Sequence, residues 1–182
     1  DYGVVLGFDR VFDHESGCAR HDVSQMYVPP QWVFRVCRER PGLLPGPSVN
    51  PFAKDALETL DYCIGEGAVL IKWLPATQGI DPASPKLKEF YRRLALSGLP
   101  LLIHTGGERT FAEVEPLFSR LERIIPPLEA GVTIICAHSS TRVLGSRDED
   151  QTPLLKQLLK TYPQLYVDNS GICNPSRFAH LP

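Results

Sequence analysis

Continuous apolar runs alternate along this chain with segments whose apolar residues recur every three or four positions. The runs lie at Gly3 to Asp9, Leu43 to Asn50, Ala68 to Trp73, Leu99 to His104, Val132 to His138 and Leu165 to Asn169. Most lack strict apolar–polar alternation, the pattern of strands covered on both faces. Between them, Ala53, Ala56, Leu57, Leu60 and Ile64 fall at helical spacing. So do Leu87, Phe90, Tyr91 and Leu94, then Leu117, Leu121, Ile124 and Leu128, then Leu154, Leu155, Leu158 and Leu159. Four helices, each with one apolar stripe, are predicted.

Local punctuation agrees with this reading. Asn50-Pro51, Ser84-Pro85, Thr152-Pro153 and Asn174-Pro175 each set a capping side chain before a proline suited to a first helical turn. Gly98 falls where a left-handed residue would end a helix before Leu99. Strand–helix alternation with short connections implies an α/β fold with a parallel sheet and right-handed crossovers. Six strands in 182 residues give about 30 residues per unit, and eight such units make about 240 residues, close to the usual size of a (β/α)8 barrel. An incomplete (β/α)8 TIM barrel, approximately strands 2 to 7 with their helices, is therefore expected over residues 1–182 as a single partial domain. The chain starts at Asp1, reaches the apolar Val4-Val5-Leu6 almost at once and stops at Leu181-Pro182, as a piece cut from a longer domain would. An open doubly wound nucleotide-binding sheet would call for Gly-x-Gly-x-x-Gly, which is absent. The segment Gly17 to Pro30 is too polar and too long for a simple turn; it is either a substrate-covering loop or an irregular surface loop.

Composition narrows the partners. With 43% hydrophobic and 22% charged residues the chain is of ordinary soluble type, and a net charge of −2 without a long basic run argues against nucleic acid. No apolar run approaches the ~20 residues of a membrane span, and the first residues do not read as a signal peptide. Five scattered cysteines without a Cys-x-x-Cys pair point away from a disulfide framework and toward a reducing cytoplasm.

The candidate chemistry stands at the ends of the apolar runs, which bear Asp9, Asn50, Lys72, His104, His138 and Asp168. In a barrel these are the C-terminal strand tips, where active sites are built. Asn50 also reads as a helix cap, Asp9 as a cap or ion-pair partner and Asp168 as a turn residue. Lys72 is harder to explain structurally, because a lysine closing an apolar strand is costly to bury without a partner. Two histidines at the tips of consecutive strand units form a natural bidentate environment for a metal ion.

The stretch Gly67-Ala-Val-Leu-Ile-Lys-Trp-Leu-Pro-Ala-Thr-Gln-Gly-Ile-Asp-Pro82, with Leu99-Pro-Leu-Leu-Ile-His-Thr-Gly-Gly107, Ile135-Cys-Ala-His138 and Leu165-Tyr-Val-Asp-Asn-Ser-Gly171, resembles the amidohydrolase superfamily. The likeness is to the amidohydrolase-related branch that includes aminocarboxymuconate-semialdehyde decarboxylase-like enzymes and metal-dependent hydrolases. It implies a divalent metal, zinc before manganese, at the mouth of a TIM barrel. By the resemblance His104 is the fifth-strand metal ligand, and His138 is the sixth-strand histidine that handles a proton or holds a second metal. Lys72 falls on the fourth strand, as a contact for a substrate carboxylate or, in binuclear relatives, a carbamate bridge. Trp73 would lend an aromatic surface beside Lys72, while Thr105, Gly106 and Glu108 would shape the loop after His104. Asp168, on the seventh strand, is a polar contact at the mouth and does not match the eighth-strand ligand. The first-strand His-x-His of the family is absent from this sequence, and His14, His21 and His180 are isolated.

The resemblance implies a hydrolase acting on a carbon–nitrogen, ester or lactone bond of a small anionic substrate. Nonoxidative decarboxylation at the same site is the alternative, and an inactive barrel fragment or binding module is a third reading of another class. Open parallel edges would favour association into homo-oligomers.

Overall fold

The computed structural model describes residues 1–107, 110–140 and 150–170. Six strands occupy the expected places: β1 (Gly3–Leu6), β2 (Leu43–Gly46), β3 (Ile71–Trp73), β4 (Leu101–His104), β5 (Ile134–Ala137) and β6 (Leu165–Val167). All six are shorter than their apolar runs: β3 and β4 begin later than their runs, while β1, β2, β5 and β6 end before the polar residues that close theirs. The pairs β1–β2, β3–β4, β4–β5 and β5–β6 are all parallel. The first two strands adjoin the rest through two bonds, Val69 N–H to Pro45 C=O at 2.8 Å and Lys72 N–H to Pro47 C=O at 2.9 Å. That is a three-residue step on one strand against two on the other, as at a bulge. Pro45 and Pro47 have no N–H to donate in return, which explains why this junction is weaker than its neighbours. The six strands thus follow one another in sequence order, an arc of a (β/α)8 barrel.

The helices are α1 (Pro30–Glu39), α2 (Ala56–Gly65), α3 (Pro75–Gln78), α4 (Lys88–Ser97), α5 (Ile125–Glu129) and α6 (Thr152–Thr161). Two expectations change. Helix α1, placed by the buried Val33 and Phe34 with Pro30 in its first turn, is absent from the pattern read above. The single helix expected over 117–128 is instead a 3-10 turn at Pro116–Ser119, a second at Leu121–Ile124 and the short α5. Pro126 and Pro127 lack the N–H groups that an uninterrupted helix would donate backward. Ser84 caps its turn as expected, accepting from Lys86 N–H. Asn50 does not cap α2; its Oδ1 accepts from Phe52 N–H in the turn before it. Thr152 opens α6, while Asp150 Oδ1 accepts its N–H at 3.0 Å. Asn174-Pro175 lies outside the described residues. Gly98 ends α4 with φ 66°, as predicted.

Alternation along the strands separates two faces. Ile71, Trp73, Leu101, Ile103, Ile134, Cys136 and Leu165 lie in the buried cluster shared with Phe90, Tyr91 and Leu94 of α4. Lys72, Leu102, His104, Ile135, Ala137 and Tyr166 take the opposite face, the inside of the arc, where Tyr166 is 55% exposed. Gly46 lies on this face at a local close approach: a Cβ there would meet Val4 Cγ1 at 2.7 Å and Leu70 Cδ1 at 2.9 Å.

Candidate active site

The strand tips fall into two groups with different chemistry. At β1 and β2 the polar residues satisfy one another. Asp9, buried at the end of its run, accepts from Asn50 N–H at 2.7 Å and Arg10 N–H at 2.8 Å. Asn50 Nδ2 donates to the carbonyls of Arg10 and Gln78, each at 2.9 Å. Gln78, which no sequence signal singled out, donates to Ser48 Oγ at 2.9 Å and accepts from Leu74 N–H at 2.6 Å. Burial raises the Asp9 carboxyl, against the lowering effect of its two backbone donors. This network ties the ends of the first three strands together, a bracing role. His14 is likewise structural, stacked on Phe52 at 3.6 Å with Nε2 against Gly79 O at 2.7 Å.

From β3 to β6 the tips converge. Lys72 and His104 are both 7% exposed and lie on the inner face, on adjacent strands. Trp73 is on the other face: it is 0% exposed, its ring is 5.6 Å from Phe90 and 6.2 Å from Tyr91, and its indole N–H donates to Val49 O at 2.7 Å. The aromatic surface expected beside Lys72 is thus turned into the helix layer, because neighbouring residues of a strand point to opposite faces.

His138 follows β5, and a regular strand would send it to the helix side with Cys136. Instead His138, Ser139 and Ser140 all take left-handed backbone, with φ 57°, 51° and 51°. This bend brings the His138 ring within 5.2 Å of His104, edge to face at 71°. Non-glycine residues in this region are strained, by about 1–2 kcal/mol each. Side chains hold the bend in place. Asp168 Oδ1 accepts the His138 N–H at 2.8 Å, Ser139 Oγ donates to Asp168 O at 2.9 Å, and Ser140 Oγ hydrogen-bonds Thr105 Oγ1. Thr105 is buried, and with Ser140 it also reaches Cys136, whose thiol burial pushes up to about 12.

Gly106 turns the chain after His104 with φ 89°, a conformation suited to glycine, and its N–H donates to Ser119 O at 2.9 Å. Burial pushes the Asp168 carboxyl upward, but bonds from Ser170 and from His138 N–H outweigh it and leave the group below the usual carboxylate range. Glu108 lies outside the described residues, as do Cys173 and His180. Sequence reading missed Ser139, Ser140 and Ser170 as parts of the site; the small polar residues directly after His138 and Asp168 were the only signal.

The donor set suits a borderline metal in kind but not in number. Two imidazoles approach each other, and His138 has its Nδ1 2.6 Å from Ser170 O, the carbonyl partner that commonly orients a ligating histidine. Among the described residues no three His, Cys, Asp or Glu side chains gather into a metal-holding group.

The amidohydrolase family model matches residues 16–180, and the chain belongs to that family. The crystal structure of a proposed 2-pyrone-4,6-dicarboxylic acid hydrolase from Pseudomonas putida superposes with a TM-score of 0.56 at 15% identity, covering 82% of this chain and 53% of that one. An amidohydrolase II structure gives 0.56 at 14%, covering 83% and 57%. The apo form of Metarhizium anisopliae IDCase gives 0.50 at 14%, covering 71% and 39%. These likenesses support the fold, and the chain spans about half the length of the structures it matches. No protein of curated function matches it in sequence. Amidohydrolases are generally enzymes and usually use a divalent metal. Among the described residues no helix is long and apolar enough to cross a membrane.

Proposed function

We propose that this chain carries part of the centre of a metal-dependent hydrolase that cleaves a carbon–nitrogen, ester or lactone bond of a small anionic substrate. The observation that carries this reading is the approach of His104 and His138 to 5.2 Å at adjacent strand tips, achieved by a strained bend at His138. Strain of this kind persists where the surroundings enforce it and clusters at functional sites. His104 and His138 would hold the ion, zinc by preference or manganese, with further ligands completing the sphere. Bound there, the ion would contribute Lewis acidity, activating water near neutral pH and polarising a substrate carbonyl.

The chain's own groups do the rest. Where the ion is held without His138, that ring instead takes the proton from water and returns it to the leaving group. Lys72, nearly buried on the inner face one strand from His104, pairs with a substrate carboxylate. Thr105 and Gly106 fix the loop that follows His104, and Asp168 lines the mouth beside His138.

The test is zinc titration of the chain by calorimetry, alongside product analysis with amides, lactones and aromatic carboxylates. Binding that drops at least tenfold in His104→Ala and in His138→Ala, with water incorporated into the product, supports the reading. Carbon dioxide release without water incorporation overturns hydrolysis in favour of decarboxylation. Failure to take up zinc or manganese at micromolar concentration overturns the metal centre for this chain.

A further inference from the structure

One side chain gathers the contacts that keep His138 bent. Asp168 continues the ladder from β6, its N–H donating to Cys136 O at 3.1 Å, so its carboxylate reaches toward β5 from a fixed base. Its Oδ1 accepts from His138 N–H at 2.8 Å, from Ser170 N–H at 2.9 Å and from Ser170 Oγ. The same Ser170 offers its carbonyl to His138 Nδ1 at 2.6 Å, with its Oγ at 3.0 Å. A carbonyl oxygen has no proton to give, so the short contact requires Nδ1 to carry the hydrogen. In the neutral ring Nε2 is then the lone-pair nitrogen.

We propose that Asp168 is a positioning residue: by binding both the His138 N–H and Ser170, it fixes His138 as the Nδ1–H tautomer and so leaves Nε2 as the lone-pair atom for metal or proton. This rests on the reading of His138 as an active residue, but it makes a claim that activity does not decide. Asp168 acts through His138 and is assigned no contact with substrate. Asparagine at 168 would still present a carbonyl oxygen to the same donors; alanine presents none.

The experiment is long-range proton–nitrogen NMR of the full chain with labelled histidine, treated with chelator, at about pH 8, above the usual histidine range near 6.5. In the wild type, His138 shows a protonated Nδ1 and a pyridine-like Nε2. Asp168→Ala loses the Nδ1–H pattern in favour of the Nε2–H form that free imidazole side chains prefer in water, and Asp168→Asn retains it. The Trp73 indole N–H, bonded to Val49 O, reports that the core is intact. An Nε2–H wild type, or an Nδ1–H pattern that survives Asp168→Ala with the Trp73 signal unchanged, overturns the proposal. Should the alanine variant lose the Trp73 signal, Asp168→Glu keeps the charge but displaces the acceptor by a methylene. There, loss of the Nδ1–H form supports the proposal and its retention overturns it. A chain with the expected tautomers that takes up no zinc sinks the metal reading alone; one that binds zinc through His138 but rests as Nε2–H sinks only this assignment.

Discussion

Two buried or half-buried carboxylates at strand tips respond to acid with opposite signs. Asp9 is raised by burial, so its contribution to stability is full below its unfolded value and is lost as pH rises through its higher folded one. Asp168 is lowered, its burial outweighed by bonds from Ser170 and His138; its contribution is present above the unfolded value near 3.8 and lost as pH falls through its lower folded one. We expect Asp168→Asn to flatten the loss of thermal stability on acidification below about pH 4, measured as Tm against pH. A slope as steep as the wild type's would show that Asp168 is not a contributor. A second residue-scale expectation concerns Trp73, whose removal to alanine should cost about 3–5 kcal/mol in urea denaturation, as for a large buried aromatic. A cost under ~1 kcal/mol would place the indole at the surface.

That aromatic also marks how far residues can be read without coordinates. His104, His138 and Lys72 were visible because each polar side chain ends an apolar run, and the run's end is a barrel's working face. Which face each residue takes was not visible. In a parallel strand both faces are apolar, so Lys72 and Trp73 look alike as neighbours until helix α4 is seen to cover one side. The bend at His138 was hidden for another reason. Left-handed backbone is ordinary at glycine, and here it falls on His-Ser-Ser, held by partners about thirty residues away at Asp168 and Asn169.

Among the elements, legibility followed the strength of local rules. Gly98 closes α4 with φ 66° because the left-handed region has no penalty for glycine, and nothing lies within 4 Å of a Cβ placed there. Gly65, in the last turn of α2, is equally open and has no positive φ. The pair separates conformation from packing. Gly98→Ala should destabilise by about 1 kcal/mol, while Gly65→Ala should be neutral or stabilise by about 0.4–1 kcal/mol. Chemical denaturation of both variants reads this directly, and equal effects would mean that the two sites share one backbone conformation. Where periodicity failed, an extended residue and two prolines interrupt it. The apolar spacing of Leu117, Leu121, Ile124 and Leu128 is helical, yet Arg120 is extended at φ −68° and ψ 141° between two 3-10 turns, and Pro126 and Pro127 remove backward N–H bonds from the turns that follow. Helix α1 was overlooked beside the polar segment before it, although Val33, Phe34 and Pro30 carry the stripe and the start signal.

At the scale of the molecule, the loops beyond the strands join what the sheet keeps apart. Strands β1 and β4 are separated by β2 and β3, yet the segments that follow them meet. Phe8 lies 5.0 Å from Phe111, and the Gln25 side-chain amide clasps Ala112 with both ends, Nε2 donating to Ala112 O and Oε1 accepting from Ala112 N–H, each at 2.8 Å. On the way, Val114 and Glu115 donate their N–H groups to Ala76 O after β3, at 2.8 and 3.0 Å. The loop after His104 therefore runs along the strand tips as far as the 17–30 segment, where a loop over the substrate was one of two expectations. If these contacts form one cooperative unit, cutting one end should loosen all of it. Gln25→Ala removes two exposed hydrogen bonds worth together about 1–3 kcal/mol, enough to raise local opening on the order of 5- to 150-fold. We expect amide exchange to quicken by such a factor at Val28, Val114 and Glu115, whose acceptors Gln25 does not touch. The amide of Leu101, bonded to Thr133 O in the core ladder, should be unaffected. Acceleration confined to Ala112 would mean that the loops are tethered separately and that the mouth beside His104 opens in independent parts.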